Sequence, residues 1–205
     1  MRPNWPELRY HEWSDTLQTV HLWTQIVGKI KVALMPWTNH SWHVTLFVTP
    51  VGLGSGPIYA PERAFAIDFD FVSHRLSVSC DSGGQREISL RPMAVAEFYE
   101  QLFHALDELG TRVKINNRPS ETVNDTPFDQ DLVHRSYDAD AVARFHGALV
   151  QADRLLKTFR ARFTGKCSPV HFFWGGFDLA VTRFSGRAAP THPGGIPNLP
   201  DWITR

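Results

Sequence analysis

The chain has 205 residues, 42% of them hydrophobic, and its 21 Lys and Arg side chains balance 21 Asp and Glu. This length and apolar content fit one domain with a sizeable core. The zero formal net charge argues against nucleic-acid or anionic-membrane partners, because both require a basic face. Small molecules are left as candidate partners, and the composition assigns no oligomeric state.

The cysteine content and the N-terminal residues indicate the cellular compartment of the protein. The chain has two cysteines, Cys80 and Cys167, and its N-terminal stretch lacks the apolar region of a secretory signal. The longest apolar segment, residues 26–35, is interrupted by two lysines and is too short to cross a bilayer. We therefore expect a cytoplasmic protein. Cys167 is interpreted as an idle thiol rather than a nucleophile.

The first predicted helix spans residues 14–36, from a Ser–Asp cap to a proline. Its apolar residues recur every three or four positions and form one stripe. They are Leu17, Val20, Trp23, Val27, Ile30 and Leu34. The opposite face carries His21, Gln25 and Lys29 at four-residue spacing. We interpret that face as solvated, and as pocket lining only if the polar side of a sheet turns toward it.

Strands are predicted next along the chain. Residues 42–49 alternate between apolar and polar, and residues 51–63 are a Gly- and Pro-rich loop. Three further alternating runs separated by turns predict an antiparallel meander. They are residues 64–71, 75–80 and 85–90. Asp68 and Asp70 lie on the polar side of the first run, where we expect them to be solvated rather than to bind a cation.

Two more helices are predicted in the second half of the chain. One runs from Pro92 to a glycine cap at Gly110, and the other from a cap at Asp138 to about Arg162. A short strand is predicted between them, at residues 111–115.

The predicted helices and strands do not alternate regularly along the chain, and the chain does not consist of strands alone. This arrangement indicates the α+β class. We predict a mostly antiparallel sheet of about six or seven strands with three helices packed on it. Residues 1–185 are expected to form this single domain. Residues 186–205 are expected to be a Pro- and Gly-rich C-terminal extension.

Five stretches of the chain carry a family resemblance. They are HLWTQIVGKIKVAL, NHSWHV, FAIDFDFVSHRL, GKCSPVHFFWGGFDLAVTRFSGR and HPGGIPNLPDW. Together they resemble an uncharacterised bacterial family, domain of unknown function 5996, over essentially the whole chain. The resemblance implies a soluble bacterial protein with no agreed activity and no catalytic residues to transfer. It also implies relatives that continue past Trp202, so Arg205 is expected to be either a natural end or the end of a fragment.

The stretch at residues 168–187 holds the main candidate site. Its two strand-like runs are separated by Gly175 and Gly176, which favours a hairpin with a type I′ turn and positive φ at both glycines. In that hairpin, His171 and Asp178 share one face as diagonal neighbours, within reach of a side-chain contact. The alternative is one continuous strand with a glycine bulge, which would separate the two side chains.

Two other groups are weaker candidates. His40 and His43 lie three residues apart and could bind a transition metal with help from the hairpin, although a surface and a polar-face histidine explain them as well. A basic set could clamp an anion or could be the cations favoured at a helix C-terminus. It comprises Arg160, Arg162, Lys166, Arg183 and Arg187.

These residues support the hypothesis of an enzyme. His171 would be the acid–base group, Asp178 would orient it, and His43 would lie nearby. The expected substrate-binding residues are Arg183, Lys166, Trp42, Phe173 and Gln25. The substrate would be small and could carry an anionic group, and the sequence assigns no cofactor. The alternative is a non-catalytic domain that binds a small ligand or another protein.

Overall fold

The computed structural model describes residues 5–188 together with Pro190 and Pro193. The predicted extension, residues 186–205, therefore lies almost wholly outside the described residues. Within them the chain forms three long helices, α1 (Tyr10–Leu34), α2 (Val95–Glu108) and α3 (Ala139–Ala161). Its strands are β1 (Phe47–Val48), β2 (Gly52–Gly54), β3 (Ile58–Ala60), β4 (Arg63–Asp70), β5 (Arg75–Cys80), β6 (Gln85–Ser89), β7 (His171–Phe173) and β8 (Asp178–Ala180). None of the described helices is long and apolar enough to cross a membrane.

Six strands form one antiparallel sheet, in the order β1-β2-β4-β5-β6 with β3 also paired to β4. The predicted meander is confirmed, because β4 pairs with β5 and β5 with β6. Its alternation turns Phe65, Ile67 and Phe69 into the core. Strands β7 and β8 form a second sheet, which a bridge between Leu46 and Phe172 joins to β1. With the three helices, this is the α+β class that the sequence predicts.

Helix α1 begins at Tyr10, about one turn before the predicted cap, and no side chain caps it. The extra turn has its own packing surface, since Trp13 and Thr16 are buried. Its C-terminal end is as predicted, because the helix stops at Leu34 just before Pro36.

The polar face of α1 is not solvated, contrary to the sequence interpretation. Gln25 is 0% and Lys29 3% exposed, and His21 is partly buried. The hairpin β7–β8 and the segment around Ser120 lie over this face. Between Thr19 and Lys31 the helix is therefore covered on all sides, as core helices are.

Three local predictions around the sheet are wrong. Of the strand predicted at residues 42–49, only Phe47–Val48 is a strand, and the strand predicted at residues 111–115 pairs with nothing in the described chain. The predicted loop at residues 51–63 contains β2 and β3 instead. Glycine explains the last error, because a Cβ on Gly52 would collide with the carbonyl of Phe69 on the paired strand β4.

The predicted hairpin is confirmed, with Phe173 paired to Asp178 and His171 paired to Ala180. Its turn is not type I′. Neither Gly175 nor Gly176 has positive φ, and the left-handed residue is Phe177, with φ 58°. The turn therefore spans four residues, 174–177.

The C-terminal end of α2 and the N-terminal end of α3 follow the predicted signals, whereas α2 begins at Val95, three residues after the predicted start at Pro92. Asp138 caps α3, since its side chain accepts a hydrogen bond from the amide of Ala141 at 3.0 Å. Gly110 follows α2 with φ 73°, the left-handed conformation expected of a C-terminal glycine. The core between α1, α2 and the sheet contains Trp23, whose ring stacks on that of Phe98 with centroids 4.9 Å apart.

Candidate functional site

The turn of the β7–β8 hairpin is held against α1 by His21. Its Nε2 atom lies 2.8 Å from the carbonyl oxygen of Gly175. The same Nε2 atom also lies 3.0 Å from the side-chain nitrogen of Gln25, one turn along the helix. The imidazole also packs on the ring of Phe177, with centroids 5.0 Å apart. Burial lowers the pKa of His21, so the ring is neutral near pH 7 and fixes the turn without carrying charge.

One turn further along α1, Gln25 binds the backbone of Ser120 at two points. Its Nε2 donates to the Ser120 carbonyl at 2.7 Å, and its Oε1 accepts from the Ser120 amide at 2.8 Å. The Nζ of Lys29 donates to the Ser120 hydroxyl at 2.8 Å, and burial lowers the pKa of Lys29 to about 8. All three polar groups of Ser120 thus bind α1, which fixes the position of the next residue, Glu121.

The carboxylates of Glu121 and Asp178 meet at the hairpin turn. A Cβ on Gly176 would lie 2.6 Å from Oδ1 of Asp178 and 3.6 Å from Oε2 of Glu121, so both carboxylates adjoin one point of the backbone. A Cβ on Gly175 would collide with Oε1 of Glu121. The two glycines therefore leave room for this close approach, and neither adopts positive φ.

Two residues at this turn adopt a left-handed backbone conformation that side chains disfavour. Glu121 has φ 57° and Phe177 has φ 58°. Such conformations cost about 1–3 kcal/mol each and concentrate at functional sites. Ring packing offsets the cost at Phe177, which stacks on Phe145 with centroids 5.2 Å apart. At Glu121 the hydrogen bonds to Ser120 hold the backbone in place.

Both carboxyl groups hold their protons more tightly than usual. Burial raises the pKa of Glu121, and the charge of Asp178 raises it further. Burial also raises the pKa of Asp178, although a hydrogen bond with its own backbone amide acts to lower it. In the part of the chain that the structure describes, neither carboxylate has an ion-pair partner. Two such groups can be an acid and a base side by side, because protonation of one favours ionisation of the other.

The contact predicted between His171 and Asp178 is not formed. They share a face of the hairpin, but no hydrogen bond or ion pair joins these two residues. Phe173 lies directly opposite Asp178, and its ring packs 4.5 Å from the His171 imidazole, in the place that the prediction gave to the carboxylate. A carboxylate partner would raise the pKa of His171, whereas burial lowers it to about 4. His171 is 1% exposed, and its Nδ1 has no hydrogen-bond partner within the described part of the chain.

Trp42 is the next aromatic neighbour of His171, with ring centroids 6.4 Å apart in an edge-on arrangement. It also packs against His40 at 5.3 Å and Phe184 at 6.1 Å. The Nζ of Lys166 lies 4.8 Å from the Phe184 ring centroid and 3.2 Å from Nε2 of His40. Two predicted substrate-binding residues, Trp42 and Lys166, are thus part of one aromatic cluster. Gln25, the predicted contact on α1, instead binds Ser120.

Arg183 binds the C-terminal end of α3. Its guanidinium donates to the carbonyl of Phe159 and lies 3.4 Å above the Phe159 ring centroid, with the Phe163 ring 5.3 Å away. Arg160 donates from Nε to the carbonyl of Ser168 at 2.6 Å. These contacts favour the interpretation of the basic set as helix C-terminal cations over a shared anion clamp.

His40 and His43 do not form a metal site with other described side chains. Nδ1 of His43 accepts a hydrogen bond from the amide of Thr38 at 3.1 Å, and burial lowers its pKa. His40 faces Lys166 instead. No group of three or more His, Cys, Asp or Glu side chains within the described residues could hold a metal ion.

The side chains of Asp68 and Asp70 lie against the local backbone and do not form a binding site together. The Oδ1 of Asp70 accepts from the amides of Val72 and Ser73 at 2.9 and 2.7 Å. Burial acts to raise the pKa of Asp70, but these two bonds, together with the Ser73 hydroxyl and the charge of Arg75, lower it. Asp68 is half-buried beside Gly54, and burial raises its pKa.

Sequence reasoning does not find Ser120 and Glu121. They lie in a polar loop without periodicity, far along the chain from the hairpin. The one available signal is the pair Gly175 and Gly176, since adjacent glycines mark close approach as well as turns.

Comparison with known proteins gives a family and no activity. The model of a family described as "Family of unknown function (DUF5996)" matches residues 5–205. The chain belongs to this family. No curated protein and no solved structure matches it. The resemblance read from the sequence is confirmed, and the chemistry of the site has to be argued from its geometry.

Proposed function

We propose that this member of the DUF5996 family is an enzyme whose acid–base groups are the carboxyls of Glu121 and Asp178. One observation carries the proposal: two carboxylates that have no counter-ion among residues 5–188 adjoin the same glycine, Gly176, and both have raised pKa values. Charge repulsion makes this arrangement unfavourable for stability alone, which is typical of functional sites.

In the proposed reaction, the protonated carboxyl donates to one atom of the substrate while the ionised carboxylate removes a proton from another. Neighbouring groups partly desolvate both carboxyls, but the two residues remain accessible at the surface, so a small substrate can reach them. His21 and Gln25 are positioning residues, because they fix the turn and the segment that carries Glu121. The negative pair favours a neutral or cationic reacting group over the anionic group expected from the sequence.

We also propose that the protein is located in the bacterial cytosol. This location is supported by the resemblance to a bacterial family and by Cys80 and Cys167, neither of which is in a disulfide.

The test is a comparison of Glu121→Gln and Asp178→Asn with wild type. Purified proteins are incubated with a bacterial metabolite extract, and mass spectrometry identifies metabolites that wild type consumes. We expect each variant to lose about 100-fold or more of this activity, as when an acid or base is removed. Glu62→Gln is the control, because Glu62 is an exposed residue on the turn between β3 and β4.

Carbon-detected NMR titration provides a second readout that needs no substrate. Asp178→Asn should lower the pKa of Glu121 toward the usual range, because it removes the charge that raises it. Wild-type activity in both carboxylate variants, or an unchanged Glu121 titration in Asp178→Asn, would contradict the proposal.

A second candidate function is the non-catalytic binding of a small ligand beside His171. The buried Nδ1 of His171 has no partner among the residues that the structure describes, and a ligand could supply one next to Trp42 and Phe173. Mass spectrometry of ligands released from purified wild type and His171→Phe separates the two functions. A compound that co-purifies only with wild type and is returned unchanged supports binding.

A further inference from the structure

A cleft of about 310 Å³ that shares no lining residue with the carboxylate pair lies between α3, β1 and the segment that precedes β7. It is lined by Phe47, Val48, Asp153, Lys157, Arg160, Pro169 and Val170. Asp153, Lys157 and Arg160 follow each other at intervals of four and three residues, so one face of α3 supplies the whole polar rim. The volume is at the lower end of the range found for small-molecule sites.

The floor of this cleft is apolar and partly open to solvent. Phe47 is 37% exposed, and Val48 and Pro169 are partly buried. Single exposed apolar side chains are common, but here three adjoin in a concave surface, which is favourable for binding an apolar group.

The rim carries one cation with spare hydrogen-bonding capacity. Arg160 donates from Nε to the carbonyl of Ser168, which holds the guanidinium in place. Its two terminal nitrogens bind no other described residue. Lys157, by contrast, is paired with Asp153 at 2.7 Å. The three rim charges therefore leave one net positive charge, on a guanidinium oriented by its own backbone bond.

We propose that this cleft binds a small amphipathic monocarboxylate. The carboxylate accepts hydrogen bonds from the terminal nitrogens of Arg160, whose planar fork matches carboxylate geometry. The apolar part of the ligand covers Phe47 and Val48. Asp153 lies on the same rim and repels a second negative charge, which disfavours dianions such as phosphate monoesters.

This site is separate from the acid–base pair, so its test does not depend on the proposed function. Hexanoate, hexanol and hexylammonium share one apolar tail and differ in the charge of the head group. Each is titrated at millimolar concentration into ¹⁵N-labelled protein, and the amide shifts of Val48 and Lys157 report binding. We expect saturable shifts with hexanoate and none, or far weaker ones, with the other two.

Three substitutions test which charged side chains affect the binding of hexanoate. Arg160→Gln should weaken hexanoate binding about tenfold or more, since a charge-assisted hydrogen bond is lost. Arg154→Gln is the matched control, because Arg154 is an exposed arginine on α3 that does not line the cleft. Asp153→Asn should strengthen binding several-fold, because it releases Lys157 and removes a repelling carboxylate.

Equal binding of hexanol and hexanoate would overturn the proposal, as would no binding of hexanoate. Equal weakening in Arg154→Gln and Arg160→Gln would also overturn it, because the effect would then come from the general charge of α3. If Arg160→Gln does not fold, Asp153→Asn still decides: stronger hexanoate binding supports the site, and unchanged or weaker binding overturns it.

Discussion

His171 shows what burial does to a single titratable residue. The ring packs between Trp42 and Phe173, and burial lowers its pKa to about 4 from an ordinary value of 6.5. Between these two values the unfolded chain binds a proton that the folded chain does not. The stability contributed by neutral His171 is therefore present above pH 6.5 and is lost as the pH falls toward 4.

We predict that His171→Phe makes the protein less sensitive to acid. Replacement of the imidazole by a ring that cannot be protonated should remove up to about 3 kcal/mol of the stability loss between pH 6.5 and 4. Urea unfolding of wild type and variant at both pH values measures it, and any constant packing cost cancels in the difference. His21 and His43, whose pKa values are also lowered, keep part of the dependence.

The control is His104→Phe, because His104 is an exposed residue on α2. If His171→Phe and wild type lose the same free energy between the two pH values, the imidazole is not held neutral by the fold.

At the scale of elements, α1 approaches the hairpin turn closely at Gly28. A Cβ on Gly28 would overlap the indole of Trp174, which is 3% exposed and donates from Nε1 to the carbonyl of Val44 at 2.8 Å. The indole cannot move without giving up that buried hydrogen bond. Gly28 thus sets the distance between α1 and the hairpin that carries Asp178.

The same Gly→Ala substitution should therefore have opposite effects on stability in two helices. Gly28→Ala should destabilise the protein by about 1–3 kcal/mol or more through overpacking. Gly147→Ala, in the middle of α3, should stabilise it by up to about 1 kcal/mol, because alanine is the better helix former. At Gly147 the nearest atom to the new Cβ is Cγ of Pro6, at 3.7 Å, so there is room.

Thermal and urea unfolding of both variants measure this difference. A stabilising Gly28→Ala would show that the contact between α1 and the hairpin is looser than the structure indicates.

At the scale of the whole molecule, two buried lysines on α1 tie distant parts of the fold together. Lys29 binds Ser120, and Lys31 donates to the carbonyls of Thr45 and Ser55 at 2.6 and 2.5 Å. Burial lowers the pKa of both lysines to about 8. Between pH 8 and the ordinary lysine value of 10.5, the unfolded chain binds more protons than the folded one.

The free energy of unfolding should accordingly rise between pH 8 and 10, by an amount on the order of 1–2 kcal/mol per lysine. Above pH 10 the sign reverses, because burial raises the pKa of Tyr99 and Tyr137 and the unfolded chain then loses protons first. Lys31→Met should flatten the rise, whereas Lys114→Met, at an exposed position, should not. Urea unfolding at pH 8 and 10 tests this, and a slope unchanged in Lys31→Met would refute it.

The sequence by itself determined the local units. Alternation predicted the meander β4–β6, capping residues predicted α2 and α3, and the two glycines predicted the hairpin register. These features depend on neighbours along the chain, whose period shows which side chains share a face. The paired glycines also marked the turn that carries the candidate site, although they were interpreted as conformational rather than as space for two carboxylates.

Only the tertiary structure decided what each face meets. A helix period shows that His21, Gln25 and Lys29 lie together, and it does not show whether water or another segment covers them. The loop that carries Glu121 has no period at all, and it reaches Asp178 because Gln25 binds the backbone of Ser120. Contacts between residues so far apart in sequence depend on packing of the whole chain. For that reason His171 and Asp178, correctly placed on one face, still proved to have different neighbours.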